Sequence, residues 1–135
     1  MYGVHLLFDG YKCSPQKLSD EKHIKQFLKE IVDVIEMTRL TEPFVLMYPS
    51  PQTPEDWGYS GFIIIAESHV SIHTYPDKGF VTIDVYSCKD FDVKKAEKFI
   101  IQFFEVREWE SQTVHRGLKF PKTSERVEYG TEKAS

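Results

Sequence analysis

Three strand-forming runs, separated only by short breaks, occupy the middle of this chain and leave few architectures open. Gly61 to Ala66 is a continuous apolar run rich in isoleucine, the pattern of a strand buried on both faces. Val70 to Tyr75 alternates, with Val70, Ile72 and Thr74 on one side and Ser71, His73 and Tyr75 on the other. Phe80 to Cys88 alternates again, with Val81, Ile83 and Val85 opposing Thr82, Asp84, Tyr86 and Cys88. Pro76-Asp77-Lys78-Gly79 between the last two is a turn by composition. Strands this close in sequence can pair only as antiparallel neighbours, because a parallel pair needs a crossover of a dozen residues or more.

The flanks supply the second layer. Val4 to Phe8 reads as a short apolar strand and Tyr11 to Leu18 as a connection. Ser19 or Asp20 can cap a helix in which Ile24, Phe27, Leu28, Ile31 and Ile35 form one apolar stripe. Phe44 to Met47 is a further strand, and Pro49, Pro51 and Pro54 exclude regular structure from the loop after it. A second helix is predicted over Asp92 to Phe104, with Val93, Ala96, Ile100 and Phe103 as its stripe, then a last strand around Val106 to Val114. Residues 118–135 are mostly polar and aperiodic, and are expected to be a mobile tail behind a single domain of residues 1–117. The predicted fold is α+β: a two-layer sandwich of a mainly antiparallel sheet with two helices on one face. The other face carries the polar set around His73 and must be solvated, lined by substrate, or covered by another subunit.

Several classes of function are disfavoured. The net charge of −4 is spread over interspersed acids and bases, unlike the basic face of a nucleic-acid binder. No apolar run approaches the roughly 18 residues of a membrane span. Met1 to His5 lacks the basic-then-apolar start of a signal peptide, so a cytoplasmic protein is expected. Cys13 and Cys88 are then expected to remain free thiols. No His/Cys cluster has metal-ligand spacing, and no metal is expected.

Chemistry concentrates in Ala66-Glu67-Ser68-His69-Val70-Ser71-Ile72-His73-Thr74-Tyr75-Pro76, where two serines and two histidines interrupt an apolar region. Serine with histidine permits a base-assisted hydroxyl nucleophile. Residue types alone also allow an ordinary turn serine at Ser68 and a satisfied sheet histidine at His73. A hydrolase reading fares poorly, since no Gly-x-Ser-x-Gly elbow surrounds Ser68 and Gly58-Tyr59-Ser60-Gly61 has the wrong spacing. Cys88 can be read as a thiol nucleophile served by His73, or as a small buried hydrophobe at a strand end.

The run Glu-Ser-His-Val-Ser-Ile-His-Thr-Tyr-Pro resembles the processing site of the prokaryotic-type S-adenosylmethionine decarboxylases, which are pyruvoyl-dependent, self-processing proenzymes. His5-Leu6-Leu7-Phe8-Asp9 with Tyr11-Lys12-Cys13 resembles the family's opening strand and turn. Tyr59-Ser60-Gly61, Ile83-Asp84-Val85-Tyr86-Ser87-Cys88 and Arg116-Gly117 are similar to further family segments, so the likeness runs to about Gly117.

The resemblance implies cleavage between Glu67 and Ser68, giving a beta chain of residues 1–67 and an alpha chain of residues 68–135. Ser68 would become the pyruvoyl group, the only cofactor implied, which holds substrate as a Schiff base. His73 would be the proton acceptor and donor of processing, with Ser60 assisting as a donor to the oxyanion. Cys88 would be the proton donor of decarboxylation. The implied product is S-adenosyl-methylthiopropylamine, the aminopropyl donor of spermidine and polyamine biosynthesis. The implied assembly is a homodimer of cleaved protomers, with two sheets face to face in an α/β/β/α arrangement.

The substrate's adenine and sulfonium call for aromatic faces, and Tyr48, Trp57 and Phe8 are candidates. The segment Ser50 to Asp56 departs from the family in being longer, proline-rich and acidic. Glu55 and Asp56 therefore leave open a related pyruvoyl enzyme acting on arginine or ornithine. A non-processing regulatory paralogue is the alternative of another class.

Overall fold

The computed structural model describes residues 1–121 and 126–127 of the 135. Six strands form one sheet: β1 (Gly3–Tyr11), β2 (Phe44–Tyr48), β3 (Gly58–Ile65), β4 (Ser68–Tyr75), β5 (Phe80–Ser87) and β6 (Glu108–Arg116). Their order across the sheet is β2-β3-β4-β5-β1-β6, and every neighbouring pair is antiparallel. The first strand thus lies inside the sheet, between β5 and the last strand.

The helices are α1 (Pro15–Leu18), α2 (Glu21–Val34) and α3 (Val93–Phe104). Of the two predicted caps for α2, Asp20 fills the position, and its carboxylate accepts the Lys22 and His23 amides at 3.0 and 3.2 Å. Asp92 does the same for α3 through the Lys95 amide at 3.0 Å. The α2 stripe Ile24, Phe27, Leu28 and Ile31 is fully buried against Leu6, Phe8, Ile63, Ile72, Ile83 and Val85. Each such side chain contributes roughly 1.5–3 kcal/mol by leaving water. Phe104, rather than Phe103, is the fully buried end of the α3 stripe.

All helical cover lies on one face of the sheet, and this overturns the expectation for the isoleucine-rich run. In β3, Ile63 and Ile65 are buried, but Phe62 and Ile64 are 42% and 38% exposed. With Phe44, Leu46 and Tyr48 of β2 they make an apolar patch on the open face. Apolar residues on both sides of a strand that has only one covered face mark a surface that has yet to meet something.

The last strand starts two residues later than predicted, because Val106 is drawn into the core before β6 begins. Most of the expected tail lies outside the described residues. Its first residues are tethered, with the Phe120 amide bonded to the Gly117 carbonyl at 2.9 Å and its ring against Tyr2.

Candidate active site

Ala66 and Glu67 alone link β3 to β4, with Ile65 and Ser68 facing each other across the hairpin. Two-residue hairpins need positive φ, which glycine or asparagine usually supplies. Neither is present, and Ser68 itself takes φ 154°, a conformation that side-chain-bearing residues rarely adopt. Backbone strain therefore sits on the residue that follows the Glu67–Ser68 bond.

The turn is held from three sides. The Glu67 carbonyl accepts the backbone N–H of Cys88 at 2.7 Å. The Ala66 amide donates to the Thr38 carbonyl at 2.9 Å, and the Thr38 amide returns a bond to the Glu67 carboxylate at 3.2 Å. Ser68 lies opposite Ser87 in the β4–β5 register, one residue before Cys88. Cys88 is an exposed free thiol just past the end of β5, which removes its reading as a buried hydrophobe. Cys13 is the buried one, and burial pushes its thiol up to about 12.

Gly3 makes this corner possible: a Cβ there would stand 2.3 Å from the Ser87 carbonyl oxygen and 3.0 Å from the Cys88 Cα.

Ser60 and His73 form a second group. They are paired across β3 and β4, and Ser60 Oγ lies 2.8 Å from His73 Nδ1. Beside them opens a cavity of about 280 Å³ walled by Phe44, Leu46 and Phe62, with Ser71 on its rim. His73 stands five positions along β4 from Ser68, a span of roughly 16 Å at the rise of an extended chain. The chain thus gathers Glu67, Ser68 and Cys88 at one end of the hairpin and Ser60 and His73 at the other. The hydrogen bond on the Glu67 carbonyl comes from the Cys88 amide, not from Ser60, the donor expected from sequence.

A third group escaped the sequence reading. On the open face His5 Nε2 lies 2.8 Å from Asp84, whose other oxygen accepts the Ser71 hydroxyl at 3.4 Å. Arg116 stacks over Tyr86 at 4.2 Å, and His69 packs edge-on against the same ring. Burial, reinforced by His5, lowers the pKa of His69 and favours its neutral ring. The signal was present in the outward parity of β1 and β5, whose alternation places His5, Asp84 and Tyr86 opposite the core.

Of the aromatic candidates, Phe8 is 1% exposed and belongs to the core, so it cannot receive a substrate. Tyr48 is exposed and Trp57 packs edge-on against Tyr59. Asp56 is taken by Lys78 at 2.6 Å, a contact that raises the Lys78 pKa. The acidic pair offered for a cationic substrate is therefore half neutralised.

Comparison with known proteins gives the family. The family model described as S-adenosylmethionine decarboxylase matches residues 4–117. The S-adenosylmethionine decarboxylase proenzyme of Archaeoglobus fulgidus is 30% identical over 116 residues, covering 85% of this chain and 97% of the relative. That of Pyrobaculum islandicum is 38% identical over 100 residues, covering 73% and 75%. The crystal structure of the adenosylmethionine decarboxylase from Aquifex aeolicus superposes with a TM-score of 0.74 at 26% identity, over 93% of this chain and 98% of that one. A match spanning the whole sheet and both long helices, with the strained serine turn inside it, places this chain in the S-adenosylmethionine decarboxylase family.

Proposed function

We propose that the chain is a proenzyme that cuts itself between Glu67 and Ser68 and then decarboxylates S-adenosylmethionine, yielding the aminopropyl donor of polyamine synthesis. The observation that carries this reading is the Glu67–Ser68 junction: a carbonyl already hydrogen-bonded at 2.7 Å, followed by a serine at φ 154°. The Ser68 hydroxyl attacks the Glu67 carbonyl carbon, the C–N bond breaks, and an ester replaces the amide. Charge that develops on the carbonyl oxygen is met by the Cys88 N–H, a donor in place before reaction. Releasing the peptide bond also frees Ser68 from its rare backbone conformation.

Removal of the Ser68 α-proton then expels Glu67 as a carboxylate. Water replaces the nitrogen of the resulting enamine, ammonia leaves, and a ketone remains at the start of the alpha chain. The site fits such a group, because Ser68 begins a strand whose neighbour presents the exposed Cys88 thiol. Once formed, the pyruvoyl group supplies an electron sink for loss of carbon dioxide. The thiol is then positioned to return a proton to the substrate carbon.

Processing also needs a proton carrier, and imidazole serves near neutral pH. His73, with Ser60 on its Nδ1, is that carrier in this reading. The span of roughly 16 Å within one chain supports a reading in which His73 serves the Ser68 of a second copy. The open face, with Phe44, Leu46, Phe62 and Ile64 exposed, is the surface on which that copy would sit to form a face-to-face homodimer. Tyr86, stacked under Arg116, and the neutral His69 lie on that same face, one position along from the Ser68–Ser87 pair.

Carbon dioxide release from purified protein offered S-adenosylmethionine, arginine and ornithine tests the substrate. Turnover of S-adenosylmethionine alone is expected; turnover of arginine or ornithine in its place would refute the assignment.

A further inference from the structure

Ser87 is wholly buried, yet it is polar and stands directly opposite Ser68 in the β4–β5 register. Its hydroxyl has two partners. It accepts the Lys89 amide at 3.0 Å, closing a turn with Cys88 at the apex, and it donates toward the Met37 sulfur at 3.5 Å. A buried hydroxyl survives in a core only when it is bonded, and here the Lys89 bond closes the backbone corner that carries Cys88 while Met37 anchors the hydroxyl from the core. Gly3 closes the corner from the other side, leaving no room for a Cβ beside the Ser87 carbonyl and the Cys88 Cα.

Resting on the reading of Glu67–Ser68 as the processing site, we infer that Ser87 is a positioning residue for both reactions. By fixing the Ser87–Cys88–Lys89 turn, its hydroxyl aims the Cys88 N–H at the Glu67 carbonyl before cleavage. After cleavage the same turn holds the Cys88 thiol over the new group at residue 68. The hydroxyl touches neither the scissile carbonyl nor the substrate. With alanine at position 87, the Lys89 N–H loses its acceptor, the apex loosens, and the 2.7 Å bond to Glu67 is no longer enforced.

The experiment compares wild type, Ser87→Ala, Ser87→Thr and the core control Ile83→Val. It follows the fraction of full-length chain with time on a denaturing gel, then kcat and KM of the cleaved protein. Ser87→Ala is expected to slow cleavage about tenfold and, once cleaved, to lower kcat by a similar factor with KM nearly unchanged. Ser87→Thr, which keeps the hydroxyl, should restore both rates.

Ser87→Ala at the wild-type rate would overturn the inference. So would equal slowing by Ile83→Val when its loss of thermal stability matches that of Ser87→Ala, because the effect would then be stability alone. If Ser87→Ala does not fold, Ser87→Cys fills the site with a slightly larger group and weakens the acceptor; it should slow cleavage, and wild-type behaviour overturns the inference. Wild-type protein that never cleaves removes the underlying reading as well, whereas wild type that cleaves no faster than Ser87→Ala removes only the role of Ser87.

Discussion

The two ends of the β3–β4 hairpin are built from the same pair of strands and are opposites chemically. At the turn end the backbone does the work: Ser68 is strained, and the Glu67 carbonyl is engaged by the Cys88 amide. At the other end the side chains do it, with Ser60 and His73 bonded at 2.8 Å above an aromatic-walled cavity. In the proposed reaction the turn end supplies the bond to be broken, and the far end supplies the imidazole that moves its protons. A strand is too stiff to bring its own ends together, so complementary halves on one hairpin point to a reaction completed between two chains.

The largest effect tests the turn end alone. Ser68→Ala should abolish both cleavage and decarboxylation, seen as one full-length band and no carbon dioxide release. His73→Ala should slow cleavage by about a hundredfold, read as the fraction of full-length chain with time. Mixing the two variants sharpens the comparison further. In the proposed dimer, mixed pairs would unite Ser68 of one chain with His73 of the other, so the His73→Ala chain should be cut and the Ser68→Ala chain should not. Failure of the mixture to cleave would break the division of labour between copies.

Cys88→Ala should spare cleavage, since its backbone amide remains, and reduce turnover sharply; equal loss of both would contradict the separate roles. Gly3→Ala should destabilise by about 1–3 kcal/mol, measured in denaturant, because the new methyl meets a backbone carbonyl that cannot step aside. The smallest effect concerns the thiols. Exposed Cys88 should alkylate in the native protein while buried Cys13 reacts only on unfolding. Because burial raises the Cys13 pKa to about 12, the unfolded chain loses that proton first. Its contribution to stability is constant below roughly pH 8.5 and declines above it.

Much of this was legible in the sequence because one physical rule governed it. Alternation in Val70–Tyr75 and Phe80–Cys88 assigned Val70, Ile72, Ile83 and Val85 to the core, and the three- and four-residue spacing of Ile24, Phe27, Leu28 and Ile31 placed α2 on it. The Ala66–Pro76 motif singled out Ser68 and His73 as candidates. It could not show that they stand at opposite ends of a hairpin, because a motif records spacing and a strand converts spacing into distance. The apolar run Gly61–Ala66 misled for a related reason: Phe62 and Ile64 lie on a face that the described residues do not cover. Phe8 was offered to substrate because composition cannot tell which parity of β1 faces the helices. The Cys88–Glu67 bond had no sequence signal, since a backbone amide is the same for almost every residue.

The most direct test of the central claim is the intact mass of the protein after incubation. Two polypeptides are predicted, one ending at Glu67, the other beginning at residue 68 and lighter by one ammonia than a serine-initiated chain. The second should also react with a carbonyl reagent. A single uncut polypeptide in the active preparation, or an alpha chain that keeps its amino-terminal serine, would contradict the account.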